Sequence, residues 1–223
     1  MKLLITGCLG HIGSFLIKNI NKINKVKKIY LLDNNSNNKF IVLSFIKKNN
    51  KSIKFFLKDV SNPESLNKLP KIDVVLHLAS TTDAQSSVGN EKKYIQNNLG
   101  SFKNIVKFCT KKKAKLIHIS STSVYGDQNF LVDEKSKFLK PQSPYANIKL
   151  EEELILKKFS NKIKYVTLRF GTIAGYSEGM RFHTAVNKFC YQASLKKPLT
   201  LWRKFYKKKR PYLTLKDCFK TIN

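Results

Sequence analysis

The chain has 223 residues, of which 42% are hydrophobic and 11% aromatic, and this composition excludes a disordered or low-complexity protein. Lysine and arginine together number 43 against 14 acidic residues, so the formal net charge is +29. Only four of these cations are arginine, whose planar fork proteins use to read nucleic acids. We therefore interpret most of the charge as a lysine–asparagine–isoleucine bias on solvated faces, and a functional basic surface is the alternative.

Cysteine usage and hydropathy point to a cytoplasmic protein. Cys8, Cys109, Cys190 and Cys218 lie far apart in the sequence, which is typical of reduced thiols in a chain of this length. No group of His, Cys and carboxylate residues has the spacing of metal ligands, so no metal site is expected. No apolar run reaches the roughly 20 residues of a membrane helix, so no membrane association is expected.

Apolar runs alternate with amphipathic segments from the first residue onward. The predicted strands are 2–6, 28–32, 53–57, 73–78, 115–120 and 164–170. The predicted helices are 11–20, 39–48, one that starts at 61–64, 91–112 and 143–158. Strands without polar alternation, separated by helices, indicate a parallel sheet buried on both faces. The expected fold is an α/β, doubly wound sheet of Rossmann type.

The pattern becomes irregular after residue 175. A helix is predicted over 180–195, short strands over 199–202 and 212–215, and a further helix begins near Asp217. We therefore predict two parts: a dinucleotide-binding Rossmann domain over 1–175 and a smaller substrate lobe over 176–223, placed above the strand ends.

A glycine motif lies between the first strand and the first helix. Gly7, Gly10 and Gly13 allow a sharp turn, a close approach of the backbone to a pyrophosphate, and tight packing of the helix. The phosphates then lie at the helix N-terminus, which carries partial positive charge. Asp33 ends the second strand 20 residues after the motif, where a carboxylate accepts hydrogen bonds from ribose hydroxyls and repels a 2′-phosphate. The motif predicts NAD as the cofactor.

A second motif, Tyr145-x-x-x-Lys149, places a phenol and an ammonium on one helix face. A free tyrosine has a pKa of about 10, and a nearby positive charge lowers that value toward the range of a useful base. Ser120 and Ser121 end the fifth strand, and ligands of open α/β sheets bind at the carboxyl ends of strands. The spacing thus predicts an acid–base site.

These residues belong to six segments that come in the order and spacing of one known family: TGCLGHIG, HLAS, SSTSVYG, YANIK, LRFGTIAG and RPYLTLKD. The chain resembles the extended short-chain dehydrogenase/reductases, and within them the nucleotide-sugar epimerase/dehydratase group. The resemblance covers nearly the whole chain. It implies a Rossmann fold, NAD as cofactor and a nucleotide sugar as substrate.

The resemblance also implies the site residues. The catalytic residues would be Ser121, Tyr145 and Lys149. The cofactor would be bound by Gly7, Gly10, His11, Ile12, Gly13, Asp33, Asp59, Val60, Leu78, Ala79, Ser80 and Asn98, together with Tyr145 and Lys149. The substrate would contact Ser121, Thr172, His183, Asn187 and Arg210, with His183 and Asn187 on the helix after Gly179 and the guanidinium of Arg210 on the diphosphate.

Three departures from the family pattern affect the expected function. Thr122 and Ser123 stand where the dehydratase branch has an Asp-Glu pair that supplies acid and base, so a dehydratase is disfavoured. Thr172 replaces an Asn that usually contacts the sugar. Members of the family also continue past the segment matched by 210–217, which predicts a truncated chain, a reduced substrate pocket or impaired catalysis here.

The function that follows is an NAD-dependent nucleotide-sugar epimerase. In it, Tyr145 removes the proton of a sugar hydroxyl, the hydride passes to NAD⁺, and the keto sugar takes it back on its other face. One alternative is an NAD-dependent nucleotide-sugar dehydrogenase or reductase with net turnover of the cofactor. Another is a catalytically weak dinucleotide-binding protein whose basic surface binds RNA or an acidic partner.

Three further features are interpreted structurally. His77 and His118, both in strand segments, are read as buried structural residues rather than catalysts. The basic run at 205–210 is read as a surface loop with only Arg210 turned inward, and nucleic-acid binding is disfavoured. The helices at 91–112 and 143–158 carry apolar stripes away from the site, and because family members often dimerise through these two helices, the resemblance implies a homodimer.

Overall fold

The computed structural model describes residues 1–48, 52–84, 86–201 and 209–223. Six strands form one parallel sheet in the order β3-β2-β1-β4-β5-β6. They are β1 (Lys2–Thr6), β2 (Lys28–Asp33), β3 (Ser52–Leu57), β4 (Val74–His77), β5 (Lys115–Ser121) and β6 (Tyr165–Phe170). The predicted doubly wound sheet is confirmed, because the order reverses at β1 and the chain crosses to the neighbouring strand β4.

The helices agree with the predicted segments in most places. They are α1 (His11–Lys18), α2 (Glu91–Tyr94), α3 (Gly100–Lys112), α4 (Pro144–Lys158), α5 (Ala185–Ser194) and α6 (Leu215–Ile222). One π-helical turn at Ile95–Leu99 joins α2 to α3, so the helix predicted over 91–112 is continuous. The segment predicted as a helix at 39–48 forms a 3₁₀ helix, Phe40–Lys48, and a second 3₁₀ helix, Pro63–Leu66, follows the Asn62 cap. Among the described residues, no helix is long and apolar enough to cross a membrane.

The core lies on both faces of the sheet. On one face Leu4, Val75 and Leu116 pack against Phe102 of α3, and the other face packs against α1 and contains Ile5. Alternate residues of each strand therefore enter different clusters, which explains the continuous apolar runs in the sequence. Cys8 and Cys109 belong to these clusters, and all four cysteines are free.

The segment after residue 170 departs most from the predicted elements. A two-stranded parallel sheet pairs β7 (Thr172–Ala174) with β8 (Tyr212–Thr214), and β7 was not predicted. Residues 199–201 of the strand predicted at 199–202 are not in a strand, and residue 202 lies outside the described residues, as do residues 205–208 of the basic run. The division into parts at residue 175 stays a prediction.

α5 begins at Ala185, later than the helix predicted from 180, because the preceding residues bind the glycine loop instead. We call residues 175–180 the clasp segment. Within it, the Ser177 hydroxyl donates to the His11 carbonyl oxygen at 2.8 Å, and the Gly179 amide donates to Ser14 Oγ at 2.9 Å. A Cβ on Gly179 would lie 2.3 Å from the Gly10 carbonyl oxygen and 2.4 Å from that of Leu9. Only glycine allows this close approach.

Substitution of Gly179 by alanine tests this contact. The added methyl group would meet two backbone carbonyl oxygens, which cannot move without displacing the glycine loop. We expect Gly179→Ala to lower the free energy of unfolding by about 1–3 kcal/mol, the usual cost of overpacking. Urea-induced unfolding followed by circular dichroism measures the change.

Gly100→Ala is the matched control. Gly100 begins α3, and a Cβ there would meet no neighbouring atom within 4 Å. Alanine at this helical position should therefore raise stability by about 0.5–1 kcal/mol. Equal stability of the two variants would contradict the tight packing of the clasp segment.

Candidate functional site

The glycine loop lies at the carboxyl ends of three neighbouring strands. Gly7 follows β1 with a φ of +66°, and a Cβ there would lie 2.5 Å from the Ala79 nitrogen, just after β4. Both the backbone conformation and the space require glycine. On the other side, the Leu9 amide donates to Asp33 Oδ2 at 3.0 Å, at the end of β2. The loop thus brings together the ends of β1, β2 and β4.

A cavity of about 610 Å³ opens over these strand ends. The predicted cofactor residues that line it are Gly7, Gly10, Asp33, Asp59, Val60, Leu78, Ala79 and Ser80. The buried Ser80 Oγ has no hydrogen-bond partner among the described groups, so it is available to a ligand. A cavity with an open glycine loop on one side and carboxylates on the other fits the pyrophosphate and ribose of a dinucleotide.

The two carboxylates of the cavity are held by neighbouring donors. Asp33 Oδ1 accepts from the Asn35 amide, and Asp59 accepts from the Asn34 side chain and from Ser61. Burial raises the pKa of Asp59, but these hydrogen bonds together outweigh it, and its pKa lies below the ordinary value. The carboxylate is therefore ionised at neutral pH and can accept from hydroxyl groups.

Sequence reasoning missed the cations of the cavity. The lining includes Lys39, Lys58, Lys93 and Arg181. Their positive charges favour an anionic ligand such as a pyrophosphate. No sequence signal separates these three lysines from the many others, whereas Arg181 is one of only four arginines.

Six predicted cofactor residues do not line the cavity: Tyr145 and Lys149, whose site is described below, and the four that follow here. His11 Nε2 lies 2.7 Å from the Gly175 carbonyl oxygen, so its ring faces the clasp segment. Ile12 and Gly13 lie in the first turn of α1. Asn98 is buried, and its side chain accepts from the Thr81 amide and donates to the Thr81 carbonyl oxygen. Asn98 therefore positions the backbone of a lining residue.

The three predicted catalytic residues come together beside this cavity. Tyr145 and Lys149 share one face of α4, with the ammonium nitrogen 6.0 Å from the centre of the phenol ring. Ser121 ends β5, and its hydroxyl lies close enough to the phenol to lower the pKa of Tyr145. The Tyr145 amide donates to Ser87 Oγ, which follows the lining residue Ser86. The backbone of Tyr145 therefore contacts a segment that borders the cavity, and Tyr145 itself is not part of the lining.

Opposing effects act on the pKa values of Tyr145 and Lys149, the two site residues of α4. Burial raises the pKa of the Tyr145 phenol, and the Lys149 ammonium and the Ser121 hydroxyl only partly offset this, so its pKa lies above the ordinary value. Burial lowers the pKa of Lys149, but Glu152 and Tyr145 outweigh it, and its pKa is raised. The site therefore holds a protonated phenol beside a charged ammonium at neutral pH.

The predicted substrate residues are not gathered at one place. Thr172 is partly buried in β7, and His183 is exposed and precedes α5 instead of lying on it. Asn187 is 2% exposed, and its amide binds the Gly175 nitrogen and the Ile173 carbonyl oxygen. Its role as a substrate contact is therefore wrong for this structure, since both ends of the amide are occupied by backbone.

The prediction that Arg210 turns inward is also wrong. Arg210 is exposed and does not line the cavity. The following residue, Pro211, packs closely against Gly171, and its carbonyl oxygen accepts from the Thr172 amide. This pairing with β7 fixes the backbone and leaves the guanidinium on the solvent side.

A row of polar side chains crosses the sheet beneath the site. Thr6, His77, His118 and Thr167 occupy paired positions on β1, β4, β5 and β6. The Thr6 hydroxyl lies 2.7 Å from His77 Nδ1, and His118 contacts Thr167 and Glu152. Both histidines are buried, as predicted. The sequence did not predict that they lie side by side on neighbouring strands, or that Glu152 binds His118. The presence of each histidine within an apolar strand segment was the available signal.

The chain is similar to known proteins over its whole length. A model of the NAD dependent epimerase/dehydratase family matches residues 3–222. A Bacillus subtilis protein described as an uncharacterized UDP-glucose epimerase, YtcB, is 30% identical, and the match covers 100% of this chain and 71% of that protein. The UDP-glucose 4-epimerase of Yersinia enterocolitica is 32% identical over 72% of this chain, and the match spans 49% of that enzyme.

Solved structures agree with these matches. The UDP-glucuronic acid 4-epimerase of Bacillus cereus, crystallised with UDP-glucuronic acid and NAD, superposes with a TM-score of 0.85 at 29% identity. That match covers 100% of this chain and 72% of the epimerase.

The buried row predicts a pH dependence of stability. Burial lowers the pKa of His77 to about 3, against about 6.5 in an unfolded chain. Between these values the unfolded state binds one more proton, so stability falls as the pH falls, by about 1.4 kcal/mol per pH unit at most. We expect His77→Asn, which keeps an acceptor toward Thr6, to flatten this slope between about pH 6 and pH 4. Urea unfolding at several pH values measures it, and parallel curves for the two proteins would contradict the burial of a neutral imidazole.

Proposed function

The chain belongs to the NAD-dependent epimerase/dehydratase family, and from this premise we propose that it is an NAD-dependent nucleotide-sugar epimerase. The observation that carries the proposal is the meeting of Tyr145, Lys149 and Ser121 at the carboxyl end of β5, beside a cavity bordered by the glycine loop. Carboxyl ends of parallel strands are where such sheets bind cofactor and substrate.

The cavity residues suit the cofactor of the family. Gly7 and Gly10 leave the backbone open to a pyrophosphate, and Asp33 offers acceptors to ribose hydroxyls. The unpartnered Ser80 hydroxyl is a further donor toward a ligand. When bound, NAD⁺ supplies the hydride acceptor for the sugar carbon and a positively charged ring.

Side chains of the protein carry out the acid–base steps. The phenolate oxygen of Tyr145 takes the proton of a sugar hydroxyl, and the Ser121 hydroxyl shares a hydrogen bond with the same oxygen. Lys149 stabilises the phenolate by its charge. Tyr145 returns the proton when the sugar is reduced again, so the side chain ends each cycle as it began.

The anionic part of the substrate would meet positive charge. Arg181 lies at the border of the cavity, and Thr172, His183 and Arg210 belong to the same C-terminal part of the chain. We propose Arg181, Thr172 and His183, rather than Asn187 and Arg210, as substrate contacts. A homodimer through the helices at 91–112 and 143–158 remains part of the proposal; each carries an exposed apolar residue, Ile95 and Leu154.

Two other functions use features of the same chain. A dehydrogenase or reductase would employ the same three catalytic residues, but it would accumulate NADH when given NAD⁺ and a nucleotide sugar, whereas an epimerase yields the isomerised sugar without NADH. The net charge of +29 favours the second alternative, a dinucleotide-binding protein with an RNA-binding surface. Steeply salt-dependent RNA binding that persists in Tyr145→Phe, without turnover of any sugar, would favour it.

Tyr145→Phe tests the acid–base role. Removal of the hydroxyl leaves the ring in place but abolishes proton transfer, so we expect kcat for isomerisation to fall by about 10²–10⁴-fold. Calorimetric titration with NAD⁺ should show that the dinucleotide still binds. Tyr165→Phe, on the exposed edge strand β6, is the matched control and should keep full activity. Equal activities of the two variants would exclude Tyr145 as the acid–base residue.

Asp33→Asn tests the choice of dinucleotide. Loss of the negative charge weakens the hydrogen bonds to the ribose and removes repulsion of a 2′-phosphate. We expect the Kd for NAD⁺ to rise about tenfold and the preference over NADP⁺ to shrink. Asp73→Asn is the control, because Asp73 also accepts from a backbone amide, that of Lys2, at the opposite edge of the sheet. An unchanged ratio of the two Kd values in Asp33→Asn would refute the assignment.

A further inference from the structure

A buried carboxylate contacts the lysine of the acid–base pair. Glu152 lies three residues after Lys149 on α4, and its Oε2 is 2.8 Å from the Lys149 ammonium nitrogen. The same oxygen is 2.8 Å from His118 Nε2 on β5. The three side chains are 1%, 5% and 0% exposed, so neither contact is screened by water.

The hydrogen-bond pattern determines the protonation of the histidine. A carboxylate only accepts, so His118 Nε2 must donate to Glu152. Burial lowers the pKa of His118, which leaves the imidazole neutral at pH 7, with Nδ1 free to accept from the Thr167 hydroxyl. His118 therefore fixes the Glu152 carboxylate without neutralising it.

The other charged groups around this cluster are already paired or neutral. His77 of β4 faces it, and burial keeps that imidazole neutral. Glu153 of α4 is bound by the Arg169 guanidinium of β6. Phe102 of α3 packs its ring against His118. Glu152 is thus the anion that balances the Lys149 ammonium.

The ion pair with Glu152 weakens the electrostatic effect of Lys149 on the Tyr145 phenol. The Lys149 ammonium is 2.8 Å from a carboxylate oxygen but 6.0 Å from the centre of the Tyr145 ring. A compact ion pair acts at a distance as a dipole, so it stabilises a phenolate less than a lone ammonium does. In agreement, Glu152 raises the pKa of Tyr145 while Lys149 lowers it.

We propose that Glu152, held by His118, is a positioning residue that fixes the Lys149 ammonium and limits its stabilisation of the Tyr145 phenolate. The consequence for catalysis rests on the proposed function, because it assumes that Tyr145 is the base. In this arrangement the phenol stays protonated until a further positive charge reaches the site. The bound cofactor carries such a charge in its oxidised form.

Glu152→Gln tests the proposal by removing the charge while keeping the shape. The readout is the tyrosinate absorbance of the NAD⁺-loaded protein as the pH rises, taken as a difference from Tyr145→Phe in the same background. We expect the midpoint of the Tyr145 titration to fall by about one pH unit, because a negative charge that disfavours the phenolate is removed. The acid limb of the pH profile of kcat/KM should move by the same amount.

Glu151→Gln is the matched control, since it makes the same change one residue earlier on the exposed face of α4. Its midpoint should equal that of the unmodified protein. A folded Glu152→Gln variant whose midpoint is unchanged or higher would overturn the proposal. The titration needs no sugar, so a protein without epimerase activity would refute the proposed function and still report on Glu152.

Glu152→Asp covers the case in which Glu152→Gln does not fold. It keeps the charge but shortens the side chain, so it cannot reach Lys149 and His118 together. We expect the Tyr145 midpoint to stay within about 0.3 pH units, because the charge remains, while kcat falls at least tenfold and KM changes little. A kcat and midpoint both equal to those of the unmodified protein would overturn the positioning role.

Discussion

The close approach of other chain segments to the glycine loop is the constraint on which the site depends. Gly7 passes so near Ala79 that no side chain fits between them, and Gly179 packs equally closely on Gly10 from the other side. The loop is thereby held between β4 and the clasp segment. Since its backbone cannot shift, the ends of β1, β2 and β4 stay in register and the cavity above them keeps its shape.

Burial of charge on α4 is the second organising feature. Two adjacent glutamates of this helix reach different partners: Glu152 binds Lys149 and His118, and Glu153 binds Arg169 and Ser120. Charges removed from water in this way are costly unless they are paired, and each carboxylate here has more than one donor. The two pairs join α4 to β5 and β6, and so place Ser121 opposite Tyr145.

The C-terminal part depends on the Rossmann sheet for its position. Its two-stranded sheet begins directly after β6, and α6 returns to α1, where Phe219 meets Phe15 edge to face at 6.3 Å. His11 links the first turn of α1 to Gly175. A movement of this part would therefore act directly on the loop that is proposed to hold the cofactor, which couples the two halves of the proposed site.

Much of this protein could be predicted from local sequence. The six strands, the glycine loop, Asp33 and the Tyr145–Lys149 pair follow from apolar runs, glycine spacing and helical periodicity, which act over a few residues. The clasp segment, the row through His77 and His118, the exposure of Arg210 and the burial of Asn187 and Glu152 could not, since each is decided by contacts between residues far apart in the chain. The sequence alone determined which residues could perform acid–base chemistry beside a dinucleotide. Only the tertiary structure decided which charged groups lie close enough to affect these residues. A charge acts through space, and its effect depends on burial and on partners that sequence spacing does not reveal.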